Sequence, residues 1–144
     1  MAKSKVHKIT QPEPGNFHIV GIASNEKPFS VCWEINRLLN TGLTLGEPLT
    51  KDRKELNDQP SFMTFRAEDD HGNRLLLIEN VNADGYFADG WHMFRYLLIS
   101  VGPGSGEWAA RIAAALKSSA MIMLCAPLVP KNKQESTFIK SYLI

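Results

Sequence analysis

The sequence has only two cysteines, a net charge of only +1 and no apolar run long enough to cross a membrane. A membrane-spanning helix needs about 18–20 consecutive apolar residues, and the lysine-containing N-terminus lacks the apolar segment of a secretion signal. We therefore predict a cytoplasmic protein that does not associate with membranes. The small net charge offers no general attraction for nucleic acids, so we predict no DNA partner and disfavour an RNA partner.

Motifs for metal binding and catalysis are also missing. The four histidines are not spaced as zinc ligands with each other or with cysteines, and neither a P-loop nor Gly-x-Ser-x-Gly is present. Cys32 and Cys125 each lie in an apolar run, which favours buried free thiols but leaves a disulfide open. The sequence therefore predicts no metal, no cofactor and no catalytic residue, and it favours a protein that is not an enzyme.

The composition that is present is that of an ordinary globular protein. With 144 residues, 44% of them hydrophobic and 22% charged, the chain is predicted to form a single domain over residues 1–144. Residues 1–16 read as a basic N-terminal tail. Residues 131–144 read as a polar C-terminal tail that either docks as a short helix or frays.

One amphipathic helix organises the pattern within residues 27–45. Pro28 suits its first turn, and Gly42 suits the left-handed residue that closes a helix. Glu34 and Arg37 are placed on its polar face. Its apolar stripe follows a 3.6-residue period and consists of Val31, Cys32, Ile35, Leu38 and Leu39.

The remaining periodicities predict an α+β fold. A second helix is expected over Glu107–Ser118, with Ser105 as its cap. Hairpin-type turns between strands favour a mainly antiparallel sheet of about six strands in the order β-α-β-β-β-β-α-β. With both helices on one face, this is a two-layer sandwich. The expected strands are Phe17–Ala23, Leu43–Leu45, Ser61–Ala67, Arg74–Asn80, Met93–Val101 and Met121–Leu128.

Three residues of the first helix are candidate binding residues. Trp33 lies at the edge of the apolar stripe and precedes Arg37 by four residues. Its ring either roofs the core with the guanidinium stacked on it or serves as an anchor for a partner. Asn36 either forms a structural hydrogen bond to the Leu43–Leu45 strand or binds a ligand.

A second group of candidates comes from the segments on either side of the fifth predicted strand. Trp91 and His92 follow Asp89 in a glycine-rich loop, where a His–Asp pair could act as a general base. The Gly102–Gly106 loop between a strand and a helix could hold a phosphate, but a flexible connector is the preferred interpretation because the glycine fingerprint is incomplete. A small enzyme or ligand-binding protein would use a cleft formed by Trp91, His92 and this loop.

An RNA-binding sheet needs aromatic side chains on one exposed face. The strands carry Phe62, Phe65, Phe94 and Tyr96. Phe62 and Phe65 differ by three positions and so face opposite sides of a regular strand. Core packing is therefore the preferred interpretation of these aromatics, and an RNA-associated protein is an alternative hypothesis.

The segments Phe17–Ser24 and Trp33–Leu39, above all Gly21-Ile22-Ala23 and Trp33-x-Ile35-Asn36, resemble the bacterial IPExxxVDY family. When Tyr96 is aligned with the last residue of the naming motif, Phe94 and Arg95 replace its Val and Asp. The chain therefore resembles a divergent member. The resemblance implies no catalytic residue.

The function favoured by these observations is a non-catalytic binding or adaptor domain that acts through a protein partner or through self-association, for example as a homodimer. An antiparallel sheet with one helical layer leaves an edge strand available for pairing. A contiguous exposed patch of Trp33, Trp91 and Phe94 would mark the binding surface. The two alternatives are the small-molecule site and the RNA-associated protein.

Overall fold

A computed structural model describes residues 17–51 and 59–143. The predicted basic tail, residues 1–16, lies outside the described residues. Within them the chain is an α+β sandwich built on a six-stranded antiparallel sheet, as predicted. No helix in the described ranges is long and apolar enough to cross a membrane.

The helices and the strands of the large sheet follow the predicted order along the chain. The helices are α1 (Pro28–Leu39), α2 (Ser105–Leu116) and α3 (Lys133–Ser141), and a 3-10 turn spans Asp89–Trp91. The strands are β1 (Phe17–Ala23), β2 (Thr44–Leu45), β3 (Leu49–Thr50), β4 (Ser61–Phe62), β5 (Thr64–Glu68), β6 (Arg74–Glu79), β7 (Val81–Asn82), β8 (Gly85–Tyr86), β9 (Tyr96–Val101) and β10 (Leu124–Leu128).

The large sheet has the spatial order β10-β1-β9-β6-β5-β2. Strands β1, β9 and β6 occupy its centre, and all six residues of β9 are buried. A central strand is covered on both faces, so its sequence is nearly continuous in apolar residues. The runs in Phe17–Ala23 and Tyr96–Val101 therefore follow from their central positions.

Helices α1 and α2 cover one face of this sheet, as predicted. The apolar stripe of α1 packs against β1, β5, β6 and β9, and Ile112 and Leu116 of α2 join the same core. Both cysteines are buried free thiols. Burial raises the pKa of the Cys32 thiol and of the Cys125 thiol, so both remain protonated at neutral pH.

The opposite face is covered by α3 and by the segment 80–95. Ile139 and Leu143 are buried against this face, so the C-terminal segment docks instead of fraying. Phe87 fills the space beneath α3, with its ring centroid 5.2 Å from that of Phe138 and 4.9 Å from that of Tyr142. The sheet is therefore packed on both sides.

Two predictions about helix ends are wrong. The left-handed residue after α1 is Asn40, with φ of 55°, and not Gly42. Asparagine tolerates this conformation better than most residues with a side chain. Ser105 does not cap α2 but is its first residue, and its hydroxyl forms a hydrogen bond with His18 Nδ1 at 2.9 Å.

Four predicted strands begin later or are divided, including β2, which begins at Thr44 instead of Leu43. The Ser61–Ala67 run is split into β4 and β5 at Met63. The fifth predicted strand begins at Tyr96 instead of Met93, because Phe94 N–H closes a turn onto the carbonyl of Trp91. The last strand begins at Leu124 instead of Met121.

Candidate functional site

The outer face of α1 carries two large exposed aromatic side chains. Phe29 and Trp33 are each 59% exposed, and Leu45 on the neighbouring β2 is 56% exposed. Phe29, Trp33 and Arg37 are spaced at i, i+4 and i+8, so they lie along one side of the helix. We call Phe29, Trp33, Arg37 and Leu45 the α1–β2 surface.

Phe65 connects the helical and strand parts of this surface. It is buried on β5, directly opposite Leu45 in the β2–β5 pair. The Phe29 ring packs edge-on against the Phe65 ring at a centroid distance of 5.3 Å. Side chains on directly opposed residues lie about 5 Å apart. Phe29 and Leu45 therefore flank one buried ring and form a continuous apolar surface.

The exposed apolar area is large enough to matter energetically. An aromatic side chain presents roughly 200 Å², so Phe29 and Trp33 alone leave about 240 Å² of ring surface in water. Leu45 adds to this area and brings the surface into the range of a few hundred Å² that marks binding sites. Burying the two rings would be worth about 6 kcal/mol before the costs of association.

Asn36 attaches β2 to the helix. Its Oδ1 accepts hydrogen bonds from Thr41 Oγ1 at 2.7 Å and from Leu43 N–H at 2.8 Å. Its Nδ2 donates to the Leu43 carbonyl at 3.0 Å. The amide thus satisfies both backbone groups of Leu43 and directs the chain into β2. This is the structural hydrogen bond predicted for Asn36, and it places Leu45 beside Phe29.

Glu34 holds Arg37 in place from within the protein. The sequence places Glu34 on the polar face of the helix, yet it is only 4% exposed. Its carboxylate accepts from Arg37 Nε at 2.9 Å, from Arg37 Nη2 at 3.0 Å and from the buried Ser119 hydroxyl at 2.5 Å. The hydrogen bonds from Arg37 and then from Ser119 lower the pKa of the Glu34 carboxyl.

This anchoring gives the α1–β2 surface a fixed shape. The bidentate contact with Glu34 orients the Arg37 guanidinium, which stacks 5.8 Å from the centre of the Trp33 ring. The predicted stacking is confirmed, but most of the ring faces solvent instead of roofing the core.

The spacing of Glu34 and Arg37 at i, i+3 signals their ion pair. No sequence signal indicates Ser119, which is 85 residues away along the chain.

The surface also borders an edge of the sheet. Strand β2 pairs with β5 on one side, and within residues 17–51 and 59–143 no strand pairs with its other side. Unpaired backbone groups of an edge strand can pair with another chain. The opposite edge, β10, contains Pro127, which has no N–H to donate. Strand β2 is thus the better edge for pairing, and it lies next to the exposed aromatics.

The second group of predicted site residues does not form a site. Trp91 is 7% exposed and packs under α3 with Phe94, so a surface patch of Trp33, Trp91 and Phe94 does not exist. His92 is exposed, but its Nδ1 lies 3.2 Å from the backbone carbonyl of Asp89. The Asp89 carboxylate instead lies 3.5 Å from Lys51 Nζ. The expected His–Asp general base is therefore not assembled.

Asn80 explains why this segment is buried. It is fully buried, and its Nδ2 donates to the carbonyls of Trp91 and Phe94 while its Oδ1 accepts from Ala88 N–H. A buried asparagine that satisfies three backbone groups fixes the loop around it. The hydrophobic side chains of the loop are then held against the sheet.

The Gly102–Gly106 loop lies far from Trp91 and His92. The two groups flank opposite ends of β9, and a six-residue strand is roughly 20 Å long. The loop packs on the β5–β6 turn, where Gly104 N–H donates to Asn73 Oδ1 at 2.8 Å. Gly102 has φ of 126° there, a conformation that favours glycine. The structure therefore does not form the predicted cleft.

Comparison with known proteins finds no match. No protein family, curated protein or solved structure is significantly similar to this chain. The resemblance to the IPExxxVDY family therefore stays a prediction.

The aromatics considered for RNA stacking belong to the core. Phe62, Phe65, Phe94 and Tyr96 are all buried, as preferred from the sequence. Tyr96 donates its hydroxyl to the carbonyl of Glu26 at 2.5 Å, and burial raises the pKa of Tyr96 to about 12. Bases cannot stack on rings that the protein itself covers.

Metal chemistry has no support in the described part of the chain. Within residues 17–51 and 59–143, no group of three or more His, Cys, Asp or Glu side chains is arranged to hold a metal ion. Of the candidate sites described above, the α1–β2 surface is the one whose residues lie together and remain exposed.

Proposed function

We propose that this chain is a non-catalytic cytoplasmic protein-interaction module that self-associates through the α1–β2 surface. The observation that carries the proposal is the exposure of Phe29 and Trp33 on a helix whose neighbouring strand is a sheet edge. Large aromatics and arginine are the residue types enriched at the energetic centres of protein interfaces.

The size of the surface suits the centre of a protein interface. A specific interface buries about 800 Å² on each partner, with an apolar centre and a polar rim. The exposed rings and Leu45 supply such a centre. Thr44, Glu47 and the outer edge of β2 are exposed around it and supply the polar rim.

The same surface is self-complementary about a two-fold axis. Strand β2 begins beside Asn36 near the C-terminal end of α1 and runs back towards Phe29. If two copies pair antiparallel through β2, Glu47 of one copy lies at the same end of the interface as Arg37 of the other. A two-fold axis forms each such contact twice. Opposite charges at the rim favour this arrangement over a like-charged one.

Sedimentation equilibrium of the wild-type protein and of Trp33→Ser tests the proposal. We expect a wild-type dimer with a Kd below about 100 μM, and a dissociation constant at least about 30-fold larger for Trp33→Ser, because a central aromatic contributes about 2 kcal/mol. The exposed position of Trp33 predicts that this variant folds, which thermal unfolding verifies. Glu47→Lys should weaken the dimer as well, since it places a cation near Arg37.

Met93→Ser is the matched control. Met93 is also a large exposed hydrophobic residue, but it precedes β9 and lies outside the α1–β2 surface. This variant should dimerise like the wild type. A wild-type protein that stays monomeric at about 100 μM, or a Trp33→Ser variant that dimerises normally, would show that this surface does not mediate self-association.

A further inference from the structure

The face of the sheet opposite α1 contains an open groove of about 380 Å³ at the end of the β5–β6 hairpin. We call it the β5–β6 groove. Its wall on one side is the C-terminal end of α3, with Tyr142 and Leu143. The apolar side chains of Leu76, Val101 and Leu143 are buried in the core of this face and line the groove.

Two arginines, Arg66 and Arg74, line the same groove. Arg66 lies opposite Leu76, and Arg74 is two residues before Leu76 on β6. The two arginines are therefore diagonal neighbours on one face of the strand pair, with Cβ atoms about 7 Å apart. The Arg66 side chain lies over Gly46, just after β2, with its Cδ and Nε 3.0 Å from where a Cβ of that glycine would be. To share an anion with Arg74 it must turn back across β5, which a side chain of this length can do.

Among the described residues, Arg66 and Arg74 have no hydrogen bond or ion pair from their side chains. The nearest candidate is Glu68, which lies directly opposite Arg74 in the strand pair, yet no salt bridge joins them within 4.0 Å. Two arginines and one glutamate leave the groove with a net positive charge.

Unpaired arginines beside a partly apolar wall define the chemistry of a ligand. Arginine binds carboxylates through two parallel N–H···O hydrogen bonds. The rest of the groove lining is largely apolar, so a ligand that fills the groove carries an apolar group next to its carboxylate. We propose that the β5–β6 groove binds a small monocarboxylate with an apolar body. The carboxylate pairs with Arg66 and Arg74, and the apolar body packs on Val101 and Leu143.

This groove is independent of the proposed self-association. It lies on the α3 side of the sheet, whereas Phe29 and Trp33 belong to the helix on the other side. Loss of dimerisation in Trp33→Ser would leave the groove intact. The two proposals can therefore fail separately.

Octanoate and octanamide are suitable probes because they share the apolar chain and differ in the charge of the head group. Titration of each into the full chain, followed by NMR of the Val and Leu methyl groups, reports on the lining directly. We expect octanoate to shift the Val101 and Leu143 methyl signals with a Kd below about 1 mM. Octanamide should bind at least tenfold more weakly, because it cannot form the charged bidentate contact.

Arg66→Gln with Arg74→Gln removes both charges from the groove, and Arg111→Gln is the matched control. Arg111 is an exposed arginine on α2, stacked 5.0 Å from the Trp108 ring centre, on the other side of the sheet. The double variant should lose octanoate binding by at least tenfold while its thermal unfolding shows that it is folded. Arg111→Gln should bind like the wild type.

Three results would overturn the proposal. Equal affinity for octanoate and octanamide would mean that the arginines do not recognise the carboxylate. Unchanged binding in the double variant would place the ligand elsewhere. The absence of methyl shifts at Val101 and Leu143 at about 1 mM octanoate would mean that the groove does not take this class of ligand.

Discussion

Replacing Ser119 with alanine should destabilise the protein at neutral pH. The Ser119 hydroxyl donates to the buried Glu34 carboxylate at 2.5 Å and accepts from Met121 N–H at 3.1 Å. A hydrogen bond to a buried charged group contributes about 1.5–3 kcal/mol. We expect Ser119→Ala to lower the free energy of unfolding by about 2 kcal/mol, which for a chain of this length lowers Tm by about 7 °C.

The destabilisation should depend on pH in a defined direction. Hydrogen bonds from Arg37 and Ser119 lower the pKa of the Glu34 carboxyl in the folded state. The stabilisation from Glu34 is therefore fully present above its unfolded pKa of about 4.3 and is lost as the pH falls through the lower folded value. Ser119→Ala removes part of this depression. Its cost should thus be largest at pH 7 and clearly smaller at pH 3.5.

Urea unfolding of the wild type and Ser119→Ala at pH 7 and pH 3.5 measures both effects. Ser118→Ala is the matched control, because Ser118 is the exposed neighbour whose hydroxyl donates only to the Ala115 carbonyl. The control should change the free energy of unfolding by less than about 0.5 kcal/mol. An equally small change for Ser119→Ala at pH 7, or the same large change at both pH values, would refute the role assigned to the Glu34 carboxylate.

Two further predictions concern the path of the chain. Asn36→Ala should lower the free energy of unfolding, measured in urea, by about 2 kcal/mol, because both backbone groups of Leu43 lose a partner. Asn25→Ala, at an exposed position, is the control. An equal loss of stability in both variants would contradict the role of Asn36. Gly21→Ala should cost about 1–3 kcal/mol because its new Cβ would lie 2.7 Å from neighbouring side-chain carbons. Gly42→Ala, where a new Cβ would have nothing within 4 Å, should be neutral or slightly stabilising. A marked loss of stability in this variant would indicate that Gly42, and not Asn40, adopts the left-handed conformation.

The α1–β2 surface links these stability predictions to the proposed function. Asn36 holds β2 against the helix, and Glu34 holds Arg37 against the Trp33 ring. Neither side chain contributes the apolar area of the surface. Both keep that area in one shape, which reduces the ordering cost of binding.

The fold class was readable from the sequence because the patterns that encode it are local. The apolar stripe of α1 repeats every 3.6 residues, and four of its five predicted members, Val31, Cys32, Ile35 and Leu39, are buried. The continuous apolar run of Phe17–Ala23 is typical of a central strand, and β1 lies between β10 and β9. Hairpin turns then limited how the remaining strands could pair.

Individual side chains were harder to place because their surroundings come from distant segments. Glu34 reads as a surface residue on its own helix, but it is buried and accepts a hydrogen bond from Ser119 in a distant segment. Trp91 reads as a loop aromatic open to ligands, but Asn80 and α3 hold it in the core. Helix periodicity contains no information about either contact.

The sequence determined the order of elements, the buried stripe of α1 and the absence of familiar catalytic motifs, since each depends on residues close together in the chain. Tertiary structure alone decided which aromatics remain in solvent. It buried Trp91 and Phe94 beneath α3, and it left Phe29 and Trp33 on the outside of α1. The physical reason is that exposure depends on what packs above a residue, and in this fold that cover comes from elements far away in sequence.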